Sequence, residues 1–594
     1  MITFQSQSDN NEPKRQPRQR RGCLRGCLWT LLIYFVLSAL MGALFGNMLS
    51  SSSVALEDKT IYKLDLKGTL VEQGKPANPW DQILNQMPSN SMISQEETVG
   101  LDQILSNIRL AKNDDRILGI YLCGGELGAG QAAAKEIREA LIDFKTSGKW
   151  VIAYADSYSA TNYYIASVAD RVCLSKTGSL AWNGVSAQKM YFTRALDKLG
   201  VEMQILKVGT FKSAVEPYFR TDMSEADRQQ TETYVNGIWS VLREGVAKSR
   251  KLSTAKLDEY ADLYMGLQPE ESYVAKGLVD TLVYAFEMDS ILRVYAGTDD
   301  YNKINTADLA QVERSQTKAD DQIAVLYAEG EITDDQGEGI VGKEMIKTIR
   351  KIAKNDNVKA VVLRVNSPGG SADASEQIWG ALQSLKEQGL PVVVSMSDLA
   401  ASGGYYISCG ADYIFAEPNT LTGSIGIFGI IPNVNGLRNK VGLDIDGVSS
   451  HKHADLQTNA IYKGMNPEEQ ALYQTMVERG YDLFTKRCAQ GRHLSQDSIK
   501  AIGEGRVWLG SDAKRLGLVD ELGDIDKAIA KAAQLAKLDT YTLNYYPEVK
   551  DPIDELIEEL MEGNPTEEEK LLIKLRTLCQ KPRIMALMPE VKIQ

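Results

Sequence analysis

Histidine is scarce: the chain has only three, His451, His453 and His493, in 594 residues. Catalysis by a histidine base therefore has few candidates. The seven cysteines (Cys23, Cys27, Cys123, Cys173, Cys409, Cys488, Cys579) are scattered and odd in number. Apart from Cys23 and Cys27, no pair has ligand-like spacing. A disulfide framework and a zinc finger are both disfavoured, and no metal or cofactor is expected. Positive charge is in deficit, with 66 Lys and Arg against 79 Asp and Glu, a net charge of −13. That argues against nucleic acid as the main partner. What is present is a globular composition, 43% hydrophobic and 24% charged. At about 150 residues per domain, the length allows three or four domains or two large ones.

The charge is uneven. Residues 1–25 hold six basic side chains (Lys14, Arg15, Arg18, Arg20, Arg21, Arg25) and two acidic ones (Asp9, Glu12), a net +4 that leaves −17 for the rest. No charge follows between Gly26 and Leu56. Residues 28–49 form an apolar run of 22 residues, long enough for one membrane-spanning helix. Trp29 and Tyr34 stand near its basic end, as interfacial aromatics do. The basic flank should stay in the cytoplasm and the acidic remainder outside it. A cleaved signal peptide would have a shorter apolar region and a small-residue cleavage site, which Ser51–Ser53 does not supply. The expectation is an uncleaved anchor over residues 26–50 behind a basic cytoplasmic segment, 1–25.

The rest of the chain repeats itself. LAKNDDRILGI at 110–120 recurs as IAKNDNVKAVV at 352–362, an offset of 242. The same offset carries YYIAS (163–167) onto YYISC (405–409), Gly184 onto Gly426 and Gly200 onto Gly442. GLVD at 277–280 recurs at 517–520, and IYKLDLKGTL (61–70) resembles IAVLYAEGEI (323–332). The offsets mean a tandem duplication, with copies at 55–295 and 320–545, a polar link at 296–320, and an acidic tail at 546–594 expected to be helical. Each copy alternates β-branched runs with helical periodicity. In the second, VKAVVLRV (358–365) and PVVVSMS (391–397) read as buried strands, and residues 372–388 as a helix. The fold class is α/β with mostly parallel strands.

Duplication supplies an internal control. Packing positions should match in both copies, whereas catalytic ones can survive in one. Ser402 opens a helix after a buried strand, and its counterpart is Ala160; Gly403 and Gly404 correspond to Thr161 and Asn162. A serine at a strand-to-helix turn is a candidate nucleophile, although such a serine is more often a plain helix cap. His451 and His453 correspond to Gly209 and Phe211, and the next position pairs Ala454 with Lys212. One copy keeps the serine and the other the lysine, which is what a site shared between them would leave. Lys212 can act as a base only if burial lowers its pKa toward neutrality, and Phe211, Val215, Pro217 and Tyr218 supply apolar surroundings. An exposed Lys212 would instead pair with Glu216 at i+4. For the oxyanion, Gly369 and Gly370 after Asn366-Ser-Pro, together with the Gly403 amide, are the candidate donors.

These residues resemble the long, duplicated form of the signal peptide peptidase A (protease IV) family of membrane-anchored bacterial serine proteases. The resemblance is carried by GTFKSAVEPYFR (209–220), NSPGGSADASE (366–376), SDLAASGGYYIS (397–408) and LTGSIGIFG (421–429). It implies a crotonase-like, Clp-protease-like fold and a Ser–Lys dyad, with Lys212 as base and Ser402 as nucleophile. It also implies that Ser424, whose first-copy counterpart is Trp182, hydrogen-bonds the lysine. It further implies a homotetramer at the bacterial inner membrane, catalytic domains on the periplasmic side, degrading signal peptides. Rival readings are an acyl-CoA-binding crotonase, a non-enzymatic oligomeric scaffold, and a Ser–His hydrolase using His453.

Overall fold

A computed structural model of the chain describes residues 55–74, 98–312, 319–548, 583–588 and 592–593. The basic segment, Cys23, Cys27 and the apolar run expected to span a membrane lie outside them. Among the described residues no helix is long and apolar enough to cross a membrane.

The β-branched runs form central strands. Val358–Ser367 lies parallel to Val392–Ala401, with Val361 opposite Val392 and Val365 opposite Met396. Gln322–Glu329 flanks it on the other side, also in parallel. Successive side chains enter different cores: Val361, Leu363 and Val365 one, Ala360 and Val362 the other. That alternation is the signature of a strand covered on both faces. Helix Ala372–Glu387 closes the first core with Ile378, Leu382 and Leu385, one face of a 3.6-residue period. Helix Ile525–Ala536 closes the second with Ala528, Ile529, Ala532 and Ala533. Full burial of a Val, Leu or Ile side chain is worth about 1.5–3 kcal/mol.

The first copy repeats the plan. Thr60–Val71, Ile117–Gly128, Trp150–Ala155, Arg171–Leu174 and Thr281–Leu282 follow one another in a parallel sheet. The second copy has the same order, from Gln322–Glu329 through Tyr413–Ala416 to Glu521–Leu522. The long helices Glu225–Arg250 and Pro467–Arg492 begin 467 − 225 = 242 residues apart and are equally long at 26 residues.

Two stretches differ from the sequence reading. The polar link at 296–320 contains a strand, Asn302–Asn305, parallel to Thr60–Lys63 at the edge of the first sheet. It reads as polar because only Ile304 turns inward. The sequence pattern of the tail points to a helix. Residues 549–582 lie outside the described ones, but Arg583–Leu587 is a strand. It enters a sheet running Ile340–Val341, Ile332–Thr333, Gly369–Ser371, Arg583–Leu587, Phe428–Asn433, Glu202–Lys207. This sheet ties the copies together, because Glu202–Lys207 of the first pairs antiparallel with Phe428–Asn433 of the second.

A buried polar seam also joins them. Arg364, 1% exposed, sends Nε to Glu72 Oε2 at 2.7 Å and lies 2.8 Å from Glu136 Oε1 through Nη1. Helix Gln131–Lys145 begins at Gly130, which has no side chain to cap it. Asp398 of the second copy caps it instead, accepting the N–H groups of Ala132 and Ala133 at 2.6 and 3.2 Å.

Candidate active site

Lys212 sits in the turn after Glu202–Lys207. Gly209, at φ +106°, bends the chain there, and the turn is clamped onto the second copy. Val208 N–H donates to Ile427 O at 3.1 Å, and Phe211 N–H to Glu504 O at 2.9 Å. Gln230 holds the turn from behind, donating to Phe211 O and Ser213 Oγ while accepting Val507 N–H. The result is a lysine with 0% exposure. Burial alone drives its ammonium well below the ordinary lysine range. Glu216, its partner had it been exposed, faces away and accepts Ser224 N–H and O–H at 3.0 and 2.6 Å.

Ser402 ends strand Val392–Ala401 at φ 57° and ψ −112°, a backbone conformation an L-residue rarely adopts. Its N–H donates to Gly423 O at 2.8 Å, which holds the turn. Gly404 is required: a Cβ there would stand 2.6 Å from Ser367 O. Ser424, at φ 48°, is fixed by its N–H to Arg506 O at 2.7 Å.

The structure brings the three side chains together. Lys212 Nζ lies 2.8 Å from Ser402 Oγ, 3.1 Å from Ser424 O and 3.1 Å from Ser424 Oγ. Ser424 O–H donates onward to Gly505 O at 3.3 Å. All three side chains are fully buried. Of the glycines expected to bind an oxyanion, Gly369 has its N–H engaged by Ser367 Oγ at 3.1 Å. Its Cα nevertheless marks the spot: a Cβ on it would lie 2.5 Å from Gly403 N and 2.0 Å from the carbonyl oxygen of Ala586. The strand Arg583–Leu587 thus passes directly over the glycines.

The histidines are elsewhere. His453 Nε2 faces Glu468 Oε1 at 3.7 Å, His451 Nδ1 lies 2.9 Å from Ser450 Oγ, and His493 ends helix Pro467–Arg492. The equivalent place in the first copy is filled. Trp182, where the second copy has Ser424, is buried and donates Nε1–H to Leu257 O at 3.0 Å. Asn162, where the second copy has Gly404, donates its side-chain N–H to Gly125 O.

Sequence reasoning missed Gly505, Gly426 and Gln230. A Cβ on Gly505 would lie 2.6 Å from Lys212 Cβ, and one on Gly426 3.2 Å from Lys212 Cδ. The 242 offset pairs Gly426 with Gly184, which has nothing within 4 Å of a Cβ, so shared glycine identity hid two different reasons.

The profile of peptidase family S49 matches residues 143–292 and again 384–539, and that of Clp protease matches 314–422. Protease 4 of Salmonella typhi is 38% identical over 510 residues, covering 84% of this chain and 82% of the relative. Protease 4 of Haemophilus influenzae is 36% identical over 498 residues, 81% of this chain and 80% of the relative. The chloroplastic serine protease SPPA of Arabidopsis thaliana is 30% identical over 471 residues, 77% of this chain and 68% of the relative. With the family's pattern met twice along a duplicated, Clp-protease-like α/β fold, and with relatives aligned through both copies, this chain belongs to peptidase family S49 and is a serine protease.

Proposed function

We propose that the chain is a membrane-anchored endopeptidase that degrades extended apolar peptides, cleaved signal peptides among them, with Ser402 as nucleophile and Lys212 as general base. The observation that carries this reading is the 2.8 Å contact between Lys212 Nζ and Ser402 Oγ inside a fully buried, carboxylate-free pocket. A neutral amine balances every contact there. Its two N–H groups go to Ser424 O and Oγ, and its lone pair accepts the Ser402 O–H. Ser424 orients the lysine.

As Oγ attacks a peptide carbonyl, the proton passes to Nζ. The Gly370 and Gly403 amides hold the oxyanion, and Gly369 supplies the bend (φ 100°) that aims them. The ammonium returns its proton to the leaving amine, and water releases the acyl-enzyme. Only the neutral amine accepts a proton, so the competent fraction rises with pH.

The substrate lies extended between Gly369–Ser371 and Phe428–Asn433. With neighbouring strands about 4.8 Å apart, the gap between these two edges holds one strand, and main-chain pairing supplies affinity. Residues 26–50 anchor the chain with residues 1–25 in the cytoplasm and both copies outside it. Four chains assemble, as the family resemblance implies.

The test uses the purified full chain and a fluorogenic apolar peptide. Ser402→Ala and Lys212→Ala should each lower kcat/KM by at least about 10³-fold with unchanged circular dichroism. Activity within tenfold of wild type in either variant would refute the dyad.

A further inference from the structure

Two buried thiols meet where the helix that follows Ser402 packs on the long helix of its copy. Helix Gly403–Ser408 starts after Ser402 and ends at Cys409. Cys488 lies on helix Pro467–Arg492. Both cysteines are 0% exposed and belong to one core. Two contacts fix the register of these helices. The Tyr406 and Phe484 rings stack with centroids 4.3 Å apart. A Cβ on Gly491 would stand 2.0 Å from Cys409 O and 2.8 Å from Gly410 Cα. Phe484, Cys488 and Gly491 fall at i, i+4 and i+7, on one stripe of the long helix. Cys488 therefore sits between the two contacts, level with Cys409, and the two thiols interact directly.

A disulfide needs backbones this close, with Cα atoms about 4.4–6.8 Å apart. Among the described residues the other cysteines are Cys123 and Cys173. They flank Tyr154 from the strands on either side of it, two strand spacings or about 9.6 Å apart, and cannot be bridged. The duplication supplies a second control. The 242 offset pairs Cys409 with Ser167 and Cys488 with Val246. Ser167 Oγ accepts Arg138 Nη1 at 2.6 Å, and Val246 is buried core. The shared packing plan thus has no need of sulfur at either position. A buried cysteine taken singly is an inert small apolar side chain, but that does not account for two in contact.

We infer that Cys409 and Cys488 are a disulfide site, closed during folding outside the cytoplasm. The compartment is that of the topology proposed above. The oxidant is itself a disulfide, of a protein or a small thiol. One cysteine thiolate attacks a sulfur of that disulfide and releases the first thiol. The second cysteine thiolate attacks the mixed disulfide, forms the Cys409–Cys488 bond and releases the other thiol. The oxidant takes up two electrons, and the two protons of the protein thiols end on its released thiols. Burial holds the Cys488 thiol far above its ordinary range, so the exchange precedes docking of the long helix. The bond ties residues 488 − 409 = 79 apart. It fixes the far end of helix Gly403–Ser408, as the Ser402 N–H to Gly423 O bond fixes the near end.

The experiment uses the full chain purified without reductant, unfolded in urea with iodoacetamide and digested for peptide mass mapping. Cys409 and Cys488 should be recovered as one linked peptide pair, lighter by two hydrogens than the two thiol peptides together, with Cys123 and Cys173 alkylated. On a denaturing gel the unreduced wild type should run ahead of its reduced form, whereas Cys409→Ser should run with its reduced form. Both readouts are taken on unfolded chains, so neither depends on how well the variant folds. A second sample is reduced in urea and refolded with oxidised and reduced glutathione. Alkylation of both cysteines before and after refolding would overturn the inference on geometry and leave the topology standing. Alkylation in the cell-derived protein with linkage on refolding would place the pair in a reducing compartment, overturning the native bond and the topology together. Linkage of either cysteine to a different partner would overturn the inference as well.

Discussion

Gly505→Ala tests how tightly Lys212 must be placed without replacing either member of the proposed Ser402–Lys212 dyad. Gly505 lies at φ 78° beneath the Lys212 turn. An added methyl would stand 2.6 Å from Lys212 Cβ and 2.7 Å from both its Cα and N. None of these atoms is the end of a flexible side chain, so none can swing aside. Carbon contacts settle at about 3.5–4.0 Å, so the turn must retreat by about 1 Å. The 2.8 Å contact from Lys212 Nζ to Ser402 Oγ then stretches beyond hydrogen-bonding range. If the proposed dyad carries the reaction, a displacement of that size costs on the order of 10²-fold in rate. The left-handed φ adds about 1–2 kcal/mol of destabilisation, which leaves the fold intact. The assay is kcat/KM on an apolar fluorogenic peptide, alongside urea denaturation. Gly447→Ala serves as the control, since a Cβ there meets nothing within 4 Å. A Gly505→Ala enzyme within threefold of wild type would refute the claim that lysine placement limits the reaction.

The seam between the copies makes two further predictions. Arg364→Met strands the buried carboxylates of Glu72 and Glu136 and should destabilise the protein by about 3–5 kcal/mol in urea denaturation; a loss under 1 kcal/mol would show that the network is not holding the copies together. Glu329 has its carboxyl pushed up to about 7, first by burial and then by the neighbouring Glu72. The folded state therefore keeps a proton that the unfolded chain releases near pH 4.5, and stability falls as pH rises from about 4.5 to 7. Glu329→Gln keeps an acceptor for Glu72 N–H and should flatten that slope; an unchanged slope would place the titration elsewhere.

What the sequence made legible was whatever repeats or alternates. The 242 offset found the duplication and set Ser402 against Ala160 and Lys212 against Ala454. The runs at 358–365 and 391–397 announced buried parallel strands because β-branched side chains on both faces leave little room for polarity. What stayed hidden is what joins the copies. Glu202–Lys207 has no counterpart strand in the second copy, where 444–449 is DIDGVS, so the repeat gave no hint that it would pair with Phe428–Asn433. RIMAL is five residues in a charged tail, too short to show a period, and its pairing depends on edges distant in sequence. Gly505 carries no pattern at all; its necessity comes from the approach of a turn nearly 300 residues away.

The contact between Lys212 and Ser402 also bears on how the site assembles. The two residues come from separate copies of one domain, so in unlinked copies the proposed site would form only on association, and its population would depend on protein concentration. In a single chain the copies meet at an effective concentration in the millimolar range, set by the tether and not by expression level. The site is then complete at any dilution. On the proposed reading two domains yield one site, and the corresponding position in the first copy is filled by the buried Trp182 and Asn162.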